Sequence, residues 1–195
     1  LQKFDFASQL PTIPTPEVKS ATSDYFSKFL SNELSVVQFV QLFHQYRGSS
    51  PTLFQSMIQY LFQEIKHIDN CKKDSSVRLG ELVGHMVHEN LFTEEEMKQV
   101  FDYFIQGFSS DSALTKFSIS ALEICSNKLQ KQPEYVFSLL KQPLLRSIPL
   151  YEKIRKISSN MSIPLNLTKP STLTLHIHLK RFEKLPAPLP RVFKI

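Results

Sequence analysis

Two histidine pairs are the residues best spaced for metal chemistry. His85-x-x-His88 places two imidazoles one helical turn apart, and His176-x-His178 places two on one face of a strand. A zinc site needs three or four ligands, and no further ligand stands at a recognisable spacing from either pair. We therefore expect no metal site, and we interpret these histidines as core-edge or surface residues.

The candidate nucleophiles and carboxylates are equally isolated. Cys71 lies beside two lysines, which favour a thiolate, but it has no recognisable histidine partner and is expected to be an exposed free thiol. Cys125 lies on an apolar stripe and is expected in the core. The acidic run 94–96 opens a helix, where carboxylates offset the helix dipole. With no Gly-rich phosphate loop or catalytic motif, the sequence predicts a protein with no catalytic residues and no cofactor.

The composition is that of an ordinary globular protein. Of 195 residues, 42% are hydrophobic, and sixteen Phe with no Trp predict a Phe-dominated core. A chain of this length buries roughly 70% of its unfolded surface, so it needs no metal or disulfide to fold. No apolar run approaches the ~18 residues of a membrane span, and no signal-peptide pattern opens the chain. Because the first residue is not Met, we expect a piece of a longer protein.

The charge is unevenly distributed along the chain. Residues 1–111 hold nine Lys or Arg against fourteen Asp or Glu, whereas residues 112–195 hold fourteen against four. Such a basic half could bind nucleic acid, an acidic partner or the acidic half of the same chain. Direct contact with RNA stays open but is not favoured, because aromatic residues are not interleaved with the basic ones.

Capping signals and apolar periodicity predict an all-α fold. Thr15-Pro16-Glu17 opens a first helix, and Ser35-x-x-Gln38 and Thr93-x-x-Glu96 are capping boxes that open two others. The pattern predicts about eight helices, stacked as antiparallel helical hairpins of the HEAT kind. The sixth is expected over about 112–130, and the eighth over 143–159 with a bend at Pro149.

The segments on either side of the helices have a different composition. Residues 1–14 are apolar without a period, and we expect an extended lead-in. Residues 160–195 hold five of the twelve prolines and an alternating apolar run, Thr172–Lys180. We expect an extended Pro-rich tail, docked on a monomeric HEAT-like domain that spans residues 15–159.

Four stretches of the sequence resemble a known family in the same order. They are Asp24-Tyr25-Phe26-Ser27, residues 54–64, residues 82–92, and Ala121-Leu122 followed by Asn127-Lys128-Leu129 and Pro133-Glu134-Tyr135. Over about residues 17–158, the chain is similar to the helical, HEAT-like tristetraprolin-binding domain of the NOT scaffold subunit of the CCR-NOT mRNA deadenylase complex.

The resemblance implies a scaffold segment without catalysis. In that family, a groove binds a short apolar-basic peptide of an RNA-binding protein such as tristetraprolin, which brings the deadenylase to the mRNA for decay and translational repression. It also implies contact with other subunits of the complex, no membrane, and residence in the cytoplasm with the nucleus as a second compartment. At the positions of this sequence that match the family's groove, the resemblance implies seven peptide-binding residues: Phe54, Gln55, Ile58, Phe62, Ile65, Gly84 and Met86.

Two other functions fit the same sequence. The basic half favours an RNA-binding helical module, and the stacked helices would also suit a purely structural spacer. Contacts to RNA phosphates would weaken steeply with added salt, whereas an apolar groove would not.

Overall fold

The chain is helical throughout the part that the structure describes. The computed structural model covers residues 14–70, 73–109 and 112–161 in describable detail, and these hold nine α-helices and no strand. The helices are α1 (Pro16–Leu30), α2 (Val36–Ser49), α3 (Pro51–Lys66), α4 (Lys73–His88), α5 (Glu94–Gly107), α6 (Ala113–Cys125), α7 (Pro133–Leu140), α8 (Pro143–Arg146) and α9 (Leu150–Ser159). None of these helices is long and apolar enough to cross a membrane. The predicted all-α class is confirmed.

Several sequence-based expectations fall on other parts of the chain. The extended lead-in before residue 14 and the docked Pro-rich tail from residue 162 lie outside the described residues. The same holds for Cys71 and for the pair His176 and His178.

The predicted helix starts are confirmed by their hydrogen bonds. Ser35 Oγ accepts from the backbone N–H of Gln38 at 3.2 Å, and the Gln38 side chain accepts from the Ser35 N–H at 2.9 Å. Thr93 and Glu96 form the same reciprocal pair at 3.3 and 2.8 Å. Thr15 Oγ1 caps α1. Each cap satisfies N–H groups that a helix leaves unpaired at its N-terminus, so the boundary is fixed locally.

Two predicted helices are shorter than expected. The sixth ends at Cys125 rather than near 130, and the chain continues as a 3-10 segment, Ser126–Lys131. Ser126 and Asn127 follow the last turn, and both residue types have low helix propensity. The predicted eighth helix is two helices, α8 and α9, because Pro149 has no N–H and its ring breaks a helix that would run through it.

Phenylalanines dominate the core, as predicted. In the first half, the ring centroids of Phe29 and Phe39 stack 4.7 Å apart. In the second half, Phe104 and Phe117 lie 5.9 Å apart. Cys125 has no exposed surface, and burial raises the pKa of its thiol to about 12, so the prediction that it lies in the core is confirmed.

Helices two positions apart in the chain run in the same direction. The Thr22 and Ser56 hydroxyls lie 3.0 Å apart, and one turn later Phe26 packs 4.7 Å from Tyr60, so α1 and α3 are parallel. Helices α4 and α6 are parallel in the same way and touch along their backbones. A Cβ at Gly80 would lie 2.3 Å from the Phe117 carbonyl oxygen, which leaves room only for glycine.

Arg78 of α4 joins the first two helices to the rest of the fold. Its Nε donates to the Phe29 carbonyl oxygen at 2.9 Å, and its Nη2 donates to the Leu34 carbonyl oxygen. The guanidinium carbon also lies 4.6 Å from the centre of the Phe29 ring. The Phe29 carbonyl oxygen also accepts from the Asn32 N–H at 3.2 Å, so Arg78 adds a further donor at the C-terminal end of α1.

Candidate functional site

Helix α3 carries five of the seven residues expected to bind a peptide. Phe54, Ile58 and Phe62 recur every four residues, and Ile65 follows on the same face. Phe54 and Phe62 are partly exposed, and Gln55 is exposed. These three side chains are available at the surface of the domain.

The other four expected residues are core residues. Ile58 and Ile65 are 2% and 1% exposed, and Met86 has no exposed surface. Gly84 is buried where α4 crosses α6, and a Cβ there would lie 2.7 Å from the Ala121 carbonyl oxygen. These four residues are therefore buried in this structure, and their part in binding a peptide stays a prediction.

Phe62 lies within an aromatic cluster that joins α3 to α5. Its ring centroid is 6.0 Å from that of Phe92 and 6.4 Å from that of Tyr103. Phe62 and Tyr103 are partly exposed, whereas Phe92 is 6% exposed. We call these three residues the α3–α5 aromatic surface. Such rings offer apolar area, and the tyrosine adds a hydroxyl at its edge.

The sequence-based prediction did not include Phe92 and Tyr103 in the candidate site. Phe92 directly precedes the Thr93 cap, and an apolar residue there commonly packs on the fourth residue of the helix, which is Met97. That spacing is a readable signal that Phe92 is fixed in place. Nothing in the local sequence pairs Tyr103 with Phe62, because the two lie on different helices.

At the other end of the α3 stripe, Phe54 meets α2. Its ring packs edge-on against Phe43 at 6.1 Å. On the same helix α2, the Tyr46 hydroxyl lies 2.5 Å from that of Tyr25, and this hydrogen bond raises the pKa of Tyr46 to about 12. The phenol therefore stays neutral at physiological pH.

Helix α5, which carries Tyr103, has a net negative charge. The helix carries four acidic residues and one lysine. Glu96 is held by the cap, and Lys98 lies 3.5 Å from Glu94. Glu95 and Asp102 are exposed, and no ion pair with another described residue neutralises them. The exposed residues of α5 therefore carry a net negative charge.

Cations of the second half make local contacts in the described part. Lys153 Nζ donates to the Glu123 carbonyl oxygen at 2.7 Å, and Arg155 pairs with Glu152 at 3.2 Å. Lys128 Nζ donates to the Asn90 side chain at 3.1 Å. These three cations therefore contact groups of the domain itself.

The histidine pair on α4 is not joined by further ligands in the described residues. His88 Nδ1 lies 3.4 Å from a Glu89 carboxylate oxygen, and His44 Nε2 lies 3.9 Å from the other oxygen. Across residues 14–70, 73–109 and 112–161, no three His, Cys, Asp or Glu side chains come together in a metal-binding group.

This chain is similar to a known protein family and to a solved structure. The family model described as the CCR4-NOT transcription complex subunit 1 TTP binding domain matches residues 3–164. Among solved structures, the N-terminal domain of the yeast Not1 is similar with a TM-score of 0.69 and 18% sequence identity, over 75% of this chain and 29% of that chain. No match was found among curated protein sequences.

The two comparisons support different statements. At 18% identity the likeness to the yeast protein shows the fold, and the chain spans about 29% of that chain's length. The family match covers most of the 195 residues and agrees with the resemblance seen in the sequence. The chain therefore belongs to the family of the CCR4-NOT transcription complex subunit 1 TTP binding domain, a helical scaffold domain of that complex.

Proposed function

We propose that this domain is a non-catalytic scaffold segment that binds a short apolar-basic peptide of a tristetraprolin-like RNA-binding protein. Binding recruits the deadenylase complex to the mRNA, in the cytoplasm and in the nucleus as a second compartment, for decay and translational repression. The observation that carries the proposal is Phe62, partly exposed between Phe92 and Tyr103. The family name adds the class of ligand.

The aromatic surface supports a reversible interaction. A fully buried apolar anchor contributes roughly 1.5–3 kcal/mol before the peptide loses its conformational freedom. Two or three anchors on Phe62, Tyr103 and Phe54, less the ordering cost of an extended peptide, correspond to a dissociation constant in roughly the micromolar range. Such an affinity suits recruitment that must be released once the message is degraded.

The charge of α5 supports the basic part of the ligand. Glu95 and Asp102 are exposed on the helix that carries Tyr103. Exposed carboxylates raise the association rate of a cationic peptide and select against acidic ones, although each contributes little to the affinity. We therefore expect affinity to fall modestly with salt, with the larger part kept by apolar contacts.

A peptide titration tests the proposal. The probe is a synthetic peptide with two large apolar residues flanked by arginines, and the readout is calorimetry with the full chain. We expect Phe62→Ala to weaken binding about 10-fold or more, as for a central aromatic contact. The matched control is Phe137→Ala, a partly exposed phenylalanine on α7. Equal affinities of Phe62→Ala and the wild type, with both chains folded, would contradict the proposed surface.

The same titration separates the two alternatives. An RNA-binding module would bind a single-stranded RNA more tightly than the peptide and would lose affinity steeply with salt. A structural spacer would bind neither probe. Nuclease or hydrolase activity that stays with the pure chain and disappears on a single substitution would contradict the non-catalytic part of the proposal.

A further inference from the structure

A row of partly exposed apolar side chains runs across α8 and the start of α9. Leu144, Ile148 and Tyr151 follow one another at spacings of four and three residues. The Ile148 N–H donates to the Leu145 carbonyl oxygen at 3.2 Å, and the Tyr151 N–H donates to the Ile148 carbonyl oxygen at 3.0 Å. Pro149 has right-handed helical dihedral angles, φ −56° and ψ −28°. Because the turns follow one another in this way, the three side chains lie on one side of the chain.

This α8–α9 apolar row is not the face that packs the two helices onto the domain. Leu145, Leu150 and Ile154 supply that face, and each is at most 5% exposed. The row contacts the core at its edge and keeps part of each side chain in water. Water satisfies an exposed polar group, but an apolar side chain gains free energy when another apolar surface covers it. A row of large apolar side chains at the surface is therefore suited to docking a second chain.

Cations lie at the start of the row, and acids are scarce around it. Residues 135–161 hold five Lys or Arg and one acid. Lys141, three residues before Leu144, is exposed. Arg146 Nε donates to the Leu140 carbonyl oxygen at 3.5 Å, which places the guanidinium at the end of α7. Neither Lys141 nor Arg146 pairs with a carboxylate of another described residue. The positive charge beside the row is therefore not neutralised within the described part of the domain.

A further cation lies at the other end of the row. Arg155 follows Tyr151 by one turn of α9, so the two share a side of the helix. Its Nη1 lies 3.2 Å from Glu152 Oε1, and the two side chains are 62% and 60% exposed. An ion pair this exposed contributes little to stability, so Arg155 can exchange Glu152 for a carboxylate of a partner at little cost.

We propose that the α8–α9 apolar row docks an acidic amphipathic segment of another protein. Apolar side chains of that segment cover the row, and its carboxylates meet Lys141, Arg146 and Arg155. The same cations repel an apolar-basic peptide, so this surface and the α3–α5 aromatic surface select ligands of opposite charge. One scaffold domain can then hold two proteins at once. The inference goes beyond the proposed function and stands whether or not a peptide binds at Phe62.

Anisotropy titrations with the full chain test the charge of the ligand. The probe is a labelled synthetic peptide with a leucine on each helical turn and glutamates between the leucines, and its control carries lysine in place of every glutamate. We expect the glutamate peptide to bind about 10-fold more tightly or better. Equal affinities, including no binding of either peptide, would overturn the proposal. A single-stranded RNA that binds more tightly than the glutamate peptide would also overturn it.

Charge reversal locates the binding site. The test variant combines Lys141→Glu with Arg146→Glu. The matched control combines Lys19→Glu with Lys66→Glu, two exposed cations on α1 and α3, so both variants change the net charge equally. We expect the test variant to bind the glutamate peptide about 10-fold more weakly, and the control to lose less than about 2-fold. Equal losses would show that only net charge attracts the peptide, and would overturn the proposal.

Tyr151→Ala tests the apolar contact without changing any charge. We expect it to weaken the glutamate peptide about 5-fold or more. Phe62→Ala, on the other surface, should leave that affinity unchanged. Circular dichroism checks that both variants keep the helix content of the wild type. Wild-type affinity of Tyr151→Ala together with weaker binding by Phe62→Ala would place the peptide on the α3–α5 aromatic surface and overturn the proposal.

Discussion

Helices α3 and α4 look alike in sequence and differ in the fold. Each has sixteen residues and a wide apolar stripe, and each was expected to contribute to a peptide groove. On α4, the stripe residues Leu79, Leu82, Val83, Met86 and Val87 have no exposed surface. On α3, Phe54 and Phe62 remain partly exposed at the two ends of the stripe. A stripe thus shows which face packs, but not whether a further layer covers it.

The small residues of α4 account for the difference. Gly80 and Gly84 let α6 approach until the two backbones touch, so α4 is enclosed between α2 and α6. Helix α3 has no glycine and packs on α1 and α2, while its contact with α5 is made by the ring of Phe62. Rings hold the backbones apart and leave their own edges in solvent.

The largest expected effect concerns the buried helix α4. Gly80→Val places a branched side chain where a Cβ alone would lie 2.3 Å from the Phe117 carbonyl oxygen. Because two backbones would have to separate, we expect a loss of more than about 4 kcal/mol in the free energy of unfolding. Gly48→Ala is the matched control, since a Cβ there meets nothing within 4 Å, and it should stabilise α2 by about 0.5–1 kcal/mol. Urea unfolding followed by circular dichroism measures both.

The next effect compares the two stripes directly. Met86→Ala leaves a cavity in the core and should cost about 2–5 kcal/mol in the free energy of unfolding. Phe62→Ala removes a side chain that is already partly in water, so its cost should be smaller, about 1–2 kcal/mol, with the larger loss in peptide affinity. Equal costs in urea unfolding would mean that Phe62 is as much a core residue as Met86.

The buried thiol of Cys125 on α6 reports on the packing of α4 against α6. The raised pKa of Cys125 means that the native state keeps the neutral thiol, so the free energy of unfolding falls as pH rises from about 8.5, where an unfolded thiol ionises, toward about 12. At pH 8, the reaction of Cys125 with a thiol reagent requires the structure around it to open. In a Cys71→Ser background, we expect Gly84→Ala to accelerate it about 100-fold and Phe62→Ala at most about 10-fold. Equal acceleration by the two changes would contradict the contrast between the helices.

The smallest expected effect concerns an exposed residue of α3. Gln55 is exposed on α3 beside Phe54. Gln55→Ala should change the free energy of unfolding by no more than about 0.5 kcal/mol, as is usual for surface positions. Peptide affinity should fall by a few-fold if the ligand extends along α3 as far as Phe54. A change in stability larger than that of Phe62→Ala would show that the order proposed here is wrong.

Helix boundaries could be predicted from the sequence better than contacts between helices. Capping boxes at Ser35 and Thr93, and the stop at Pro149, depend on residues within one turn, and the helices begin or break there. Whether Met86 faces a groove or a core depends on α6, some thirty residues later. Gly84 was predicted to bind a peptide, yet the four-residue spacing of Gly80 and Gly84 is the readable sign of close helix packing.

Arg78 has a consequence for how the domain gains its structure. It lies 49 residues from Phe29 and 44 from Leu34, the two carbonyl groups it holds. The hydrogen bonds of Arg78 to the end of α1 can therefore form only after α4 is in place, which couples the first hairpin to a contact that is distant in sequence and slow to form. A ribosome releasing this chain would expose α1 and α2 well before Arg78 emerges. Until then, the first hairpin would lack the two hydrogen bonds and the ring contact that Arg78 makes to it.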